Sequence, residues 1–202
     1  MSSKNALSIS LKRASSDTLL LLAKPPRARK YHMGYSTDIK IFSTLQKYDV
    51  DYLIIGGTAV SFYGEYRKSR LANGQVVETA DYDFWYNPNL GNYYRLLSAV
   101  EELGKDVARY RDETPDPKKD VFKFEFEEEN YTIDFLPHIM VPISFREAFE
   151  RRTMVERDGI VAYFIGLDDL INDKQALGRQ KDFDDIDNLR KHNPDSFPPP
   201  HP

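Results

Sequence analysis

Apolar and polar residues recur along this chain with two different periods, and the period indicates the element. Ile39, Phe42 and Leu45 follow helical spacing behind Ser36 and Thr37, either of which suits a helix start. "DYLIIGG" is a short apolar run closed by two glycines, the pattern of a buried strand, and "TAVSFYGE" after it suits a short helix. "RKSRLANGQVVE" is a polar loop. "DYDFWYN" alternates and stops at Pro88, as a strand does. Leu90, Tyr94, Leu97, Val100 and Leu103 fall near one helical face, with Gly104 as its stop. "VFKFEFEE" and "YTIDFLP" form a hairpin across Glu129-Asn130, and "TMVERDGIVAYFIG" a second across Asp158-Gly159. "LDDLINDKQALG" and "DFDDIDNLRK" are helical. The expected class is α+β: a mixed β-sheet flanked by helices, with a helical C-terminal segment.

This order divides the chain. Residues 1–35 are Ser-rich, then basic and Pro-containing, and read as a poorly ordered leader. Residues 36–166 form the core, 167–192 add helices to the same domain, and the Pro-rich 193–202 form a tail. "TLLLLA" is too short to span a bilayer, and no other run approaches a span, so the expectation is a cytoplasmic protein that does not enter the membrane. The chain has no cysteine, which excludes disulfides and thiolate metal sites. Its four histidines lack zinc-ligand spacing.

Charge narrows the partners. The net charge is -4, yet residues 1–35 hold seven basic side chains and one acid, so the remainder carries -10. A body this acidic does not bind polyanions through a general basic surface, since that affinity comes from neutralising phosphates. If nucleic acid is a substrate, it must be held locally or through metal ions.

The carboxylates supply such a place. Asp81 and Asp83 lie two apart on a strand, so both leave the same face while Tyr82 and Phe84 leave the other. Two like charges there repel unless a cation sits between them, and Mg²⁺ is bound through one or two carboxylates plus substrate phosphates. Asp134 interrupts an apolar strand between Ile133 and Phe135, so it lies at a sheet edge or end, or has a partner. If its strand neighbours that of Asp81 and Asp83, three acids converge. That set can hold two divalent ions about 3.5–4 Å apart for in-line transfer. Lys174 breaks the apolar stripe of Leu170, Ile171 and Leu177; it either snorkels to solvent or points at an anion.

"GGTAVSFYGEYR", then "TADYDFWY", then "YTIDFLP", resembles the nucleotidyltransferase fold of the DNA polymerase β superfamily, over roughly residues 36–191. The C-terminal "LINDKQALGRQKDFDDI" resembles that of small bacterial proteins related to the AbiEii-type abortive-infection toxins. The resemblance implies that Gly56, Gly57 and Thr58 contact nucleotide phosphates, with Arg67, Lys174, Arg179 and Asp182 also in the nucleotide site. It implies that Asp81, Asp83 and Asp134 carry two Mg²⁺ or Mn²⁺ ions with the NTP, and that Lys174 neutralises charge as pyrophosphate leaves. The implied activity moves NMP from an NTP to an acceptor hydroxyl on RNA such as tRNA, on protein or on a small molecule. A toxin role implies an antitoxin protein as partner. One departure stands out: eleven residues, Lys68 to Glu78, separate Arg67 from Thr79, where the family has a few. The competing class is a nucleotide-binding or partner-binding protein of this fold without turnover, and a third is a phosphohydrolase using the same metals.

Overall fold

The computed structural model describes residues 36–65, 79–112 and 115–196. Arg67, Tyr66 and the loop 68–78 lie outside the described residues, as do the leader and most of the Pro-rich tail.

Six strands form one mixed sheet: β1 Tyr52–Ile54, β2 Ala80–Tyr86, β3 Phe122–Phe126, β4 Tyr131–Leu136, β5 Thr153–Arg157 and β6 Ile160–Phe164, in the order β3-β4-β2-β1-β6-β5. The two outer pairs are the hairpins read from alternation. Their turns place Asn130, Asp158 and Gly159 at positive φ, where Asn, Asp and Gly are the tolerated residues. Joining them is the central set, in which β1 runs antiparallel to β2 and parallel to β6, and β2 runs parallel to β4.

Seven α-helices complete the described chain: α1 Ser36–Lys47, α2 Gly56–Tyr63, α3 Leu90–Glu102, α4 Ala108–Asp112, α5 Phe145–Glu150, α6 Leu167–Leu177 and α7 Gln180–His192. The expected α+β class, a mixed sheet flanked by helices with a helical C-terminus, is what the chain adopts. Two short helices, α4 and α5, have no counterpart in the periodicity reading, because five or six residues are too few to show a period. Ser144 nevertheless caps α5 reciprocally with Glu147.

One sheet face carries the aromatic core. Phe84 packs against Phe135 and meets Phe42 of α1, and Phe122 meets Tyr93 of α3 and Tyr110 of α4. Tyr82 ties this face to α1 by donating its hydroxyl to the buried Asp38. On the opposite face lie Asp81, Asp83 and Trp85; the Trp85 indole donates to the Pro137 carbonyl and its ring meets Phe145 of α5.

The helix faces differ from the sequence expectation in two places. Ile39 is exposed, and α1 buries Asp38, Ile41, Phe42, Thr44 and Leu45. Leu90 and Tyr94 are exposed too, and α3 buries Asn92, Tyr93, Leu96, Leu97, Ala99 and Val100. Both stripes are rotated because a buried polar residue on each helix holds a distant group. Asp38 accepts from Tyr82, and Asn92 accepts from the Asp51 amide at 2.7 Å while donating to the Asp51 carbonyl at 2.9 Å. Among the described residues, no helix is long and apolar enough to cross a membrane.

Candidate active site

The parallel register of β2 on β4 pairs Asp83 with Asp134 and Asp81 with Thr132. Neighbouring strands lie about 4.8 Å apart, so Asp83 and Asp134 leave adjacent backbones on the same face. Strand β3 extends both rows by pairing Lys123 with Asp134 and Glu125 with Thr132. The face therefore reads Lys123, Asp134, Asp83 in one row and Glu125, Thr132, Asp81 in the next. Asp81, Asp83 and Asp134 thus lie on neighbouring strands of one sheet face.

Each carboxylate has its own surroundings. Thr132 donates its hydroxyl to Asp81 Oδ1 at 2.7 Å. Asp134 is paired with the Lys123 ammonium, which reaches in from the edge strand. Asp83 receives the Gly57 amide, and burial together with the charges of Asp81 and Asp134 pushes its carboxyl up to about 6, against the smaller opposing pull of Lys174 and that amide. Asp83 thus sits in a net negative field that these cationic and dipolar neighbours only partly offset.

Helix α2 delivers the glycines to the same point. Gly56 has φ +62, and a β-carbon built on it would lie 1.9 Å from Asp83 Oδ2. Only glycine fits there, on both conformational and steric grounds. Gly57 differs: a β-carbon on it meets nothing within 4 Å, so open space lies beside it. Ile55 precedes α2 without a side-chain cap, which leaves the first-turn amides directed at Asp83 and that space. The Thr58 hydroxyl is spent within the protein, donating to the Asp81 carbonyl at 3.1 Å. The far end of α2 is anchored by α7, where Asn188 exchanges two hydrogen bonds with Glu65 and Asn193 donates to the Tyr63 carbonyl.

Lys174, Arg179 and Asp182 form a separate cluster on α6 and α7. Lys174 is buried, 3.0 Å from Asp185 Oδ2 and 3.4 Å from Asp182 Oδ1, so of the two expectations the anion-facing one holds, and both anions are internal. Arg179 forks Asp182 from the other side, with Nε to Oδ2 at 2.7 Å and Nη2 to Oδ1 at 3.0 Å. Burial alone would raise Asp182; the Arg179 hydrogen bonds and the Lys174 charge outweigh it and hold this carboxyl below its usual range. Gly178, at φ +66, ends α6 so abruptly that α7 begins two residues later and closes the cluster. The cluster borders the carboxylate face, since the Lys174 charge is felt at Asp83 and the Asp83 charge at Arg179.

The sequence reading passed over Lys123, Thr132, Asp173 and Asp185. Outward alternation in "VFKFEFEE" was the available signal for Lys123. Asp185 is buried against Lys174. Asp173 accepts the Met140 amide at 2.7 Å and so fixes the chain leaving β4. Tyr63 and Tyr86 are core residues. An open hollow of about 450 Å³ adjoins Asp81, lined by Thr79, Glu125, Glu127, Asn130 and Thr132 among others.

A divalent cation suits the chemistry of this face. Its donors are hard carboxylate oxygens, the charge at Asp83 is in excess, and an ammonium already stands against Asp134. Among the described residues no three such side chains are grouped to hold a metal ion; Asp81 accepts from Thr132, and Asp134 is paired with Lys123.

No protein-family model and no curated protein matches the sequence. Among solved structures the chain is similar to an antigenic nucleotidyltransferase-like protein from Paracoccidioides brasiliensis, at 14% identity and a TM-score of 0.42, over 78% of this chain and 74% of that one. It is similar also to the antibiotic-resistance factor ANT(2'')-Ia, at 14% identity and a TM-score of 0.43, over 76% of this chain and 80% of that one.

Proposed function

We propose that this protein is a metal-dependent nucleotidyltransferase that moves NMP from an NTP to an acceptor hydroxyl. The observation that carries the reading is the parallel β2–β4 register, which sets Asp83 beside Asp134 at the glycine start of α2. Asp81, Asp83 and Asp134 would hold Mg²⁺ or Mn²⁺, which supplies positive charge to the phosphates and lowers the barrier to in-line attack when bound. Gly56 lets the Asp83 carboxylate sit against the helix start, and the space beside Gly57 admits the β- and γ-phosphates to backbone N–H groups. Asp134 would help to activate the attacking hydroxyl. Lys174 acts through its field on Asp83, because its ammonium is committed to Asp182 and Asp185. The hollow beside Asp81 would give an acceptor room. A toxin role, with an antitoxin as partner, rests on the C-terminal resemblance.

A second reading has its own observation. A nucleotide-binding protein without turnover would keep Asp134 in its Lys123 pair permanently. Incubation with each labelled NTP, Mg²⁺ or Mn²⁺ and cellular RNA, protein and small-molecule fractions separates the two. Label transfer that disappears in the Asp81→Ala, Asp83→Ala double variant is expected. Metal-dependent NTP binding with no transfer to any fraction selects the second reading.

A further inference from the structure

The outward face of β2, β3 and β4 carries Asp81, Asp83, Glu125 and Asp134 against one cation among its described residues, Lys123. That cation does not extend into solvent away from the acids. It crosses from the edge strand to its register partner Asp134, although its side chain is 67% exposed and free to point elsewhere. The Asp81 and Asp83 charges also act on it. The ammonium therefore stands among the acids that the proposed function assigns to the metal.

We infer that Lys123 is an internal counter-ion that competes with the metal for Asp134, so that completing the site requires the Lys123–Asp134 pair to open. Two consequences follow from charge alone. Without metal, the pair relieves repulsion among Asp81, Asp83 and Asp134, which lets three acids share one sheet face in the resting protein. With metal and NTP, the displaced ammonium gains the triphosphate as a new anionic partner. Free metal offers Lys123 no such partner, so the pair biases the site toward metal that arrives with nucleotide. Lys123 is a positioning residue in this account, acting through the Asp134 carboxylate.

The inference rests on the metal-binding reading above, and the test keeps the two apart. Mn²⁺ binding to the full chain is followed by electron paramagnetic resonance, with and without a non-hydrolysable NTP analogue. Lys123→Met is expected to bind Mn²⁺ more tightly than the parent, by up to about fivefold, the upper end set by a solvent-exposed ion pair. Lys123→Arg should match the parent because it retains the pair. Lys119→Met removes one charge from a lysine paired with Asp116 and should leave Mn²⁺ affinity unchanged, which separates local competition from net charge. The NTP analogue should narrow the gap between parent and Lys123→Met. Circular dichroism and thermal melts confirm that each variant is folded. Equal or weaker Mn²⁺ binding by Lys123→Met overturns the inference while leaving the nucleotidyltransferase reading intact. A parent chain that binds no Mn²⁺, alone or with the analogue, overturns both.

Discussion

Two clusters of aspartates with lysines occupy neighbouring parts of this protein, and they are built on opposite terms. On α6 and α7, Lys174 and Arg179 meet Asp182 and Asp185, two positive charges against two negative ones, with both aspartates and the lysine buried. On the face of β2, β3 and β4, one lysine, paired with Asp134, stands among at least three carboxylates, of which Asp81 is exposed and Asp83 and Asp134 are partly buried. Balanced and buried charge can serve as a structural joint between helices. Excess charge held at an open face costs stability, and such groups cluster where a ligand completes the balance. The residue types are alike; the charge balance and access to solvent distinguish their uses.

The largest test of that contrast is at Lys174. Lys174→Met leaves Asp182 facing Arg179 and takes from Asp185 its close buried cation, and loss of about 3 to 5 kcal/mol is expected in urea unfolding. A loss below about 1 kcal/mol, the range of an exposed pair, would show that the cluster is not the joint between α6 and α7.

At Asp83 the sign reverses. The folded carboxyl holds its proton up to about pH 6, whereas an unperturbed one releases it near 3.8. Between those values the folded chain binds more protons than the unfolded chain, so this group's contribution makes stability fall as pH rises through the window. Asp83→Asn removes the cost and is expected to stabilise the metal-free protein by about 2 to 3 kcal/mol at pH 7 while abolishing metal binding. Melting curves across the window check both parts, and a destabilised Asn variant contradicts the picture of an overcharged face.

The smallest effect separates two adjacent glycines. Gly56→Ala forces a positive φ on a residue with a β-carbon and displaces the Asp83 carboxylate, at a cost of about 1 to 2 kcal/mol. Gly57→Val should keep the parent's melting temperature within a few degrees and lose nucleotide binding, since its side chain enters open space. Equal NTP affinity in Gly57→Val would remove the phosphates from that space.

How legible the site was depended on whether its parts are local. Both hairpins were readable because Asn130 and Asp158-Gly159 are turn residues beside alternating strands. The same-face placement of Asp81 and Asp83 follows from the two-residue period of a strand. Helix faces were less readable. Asp38 and Asn92 are polar, yet they are buried against Tyr82 and Asp51, while Ile39 and Leu90 lie exposed. Lys174 was recognisable as an intruder on an apolar stripe, but its partners Asp182 and Asp185 lie on the next helix.

The amino-acid sequence by itself determined the order of elements, the hairpin turns, the Gly-Gly junction between β1 and α2 and the spacing of the acids. All of these depend on interactions between residues close in the chain. Only the tertiary structure decided that β4 lies parallel to β2 with Asp134 beside Asp83, that Gly56 and not Gly57 is pressed against that carboxylate, and that Lys123 stands against Asp134. Strand partners and register are set by the shared core that whole strands bury together, a non-local quantity that no short window of residues contains.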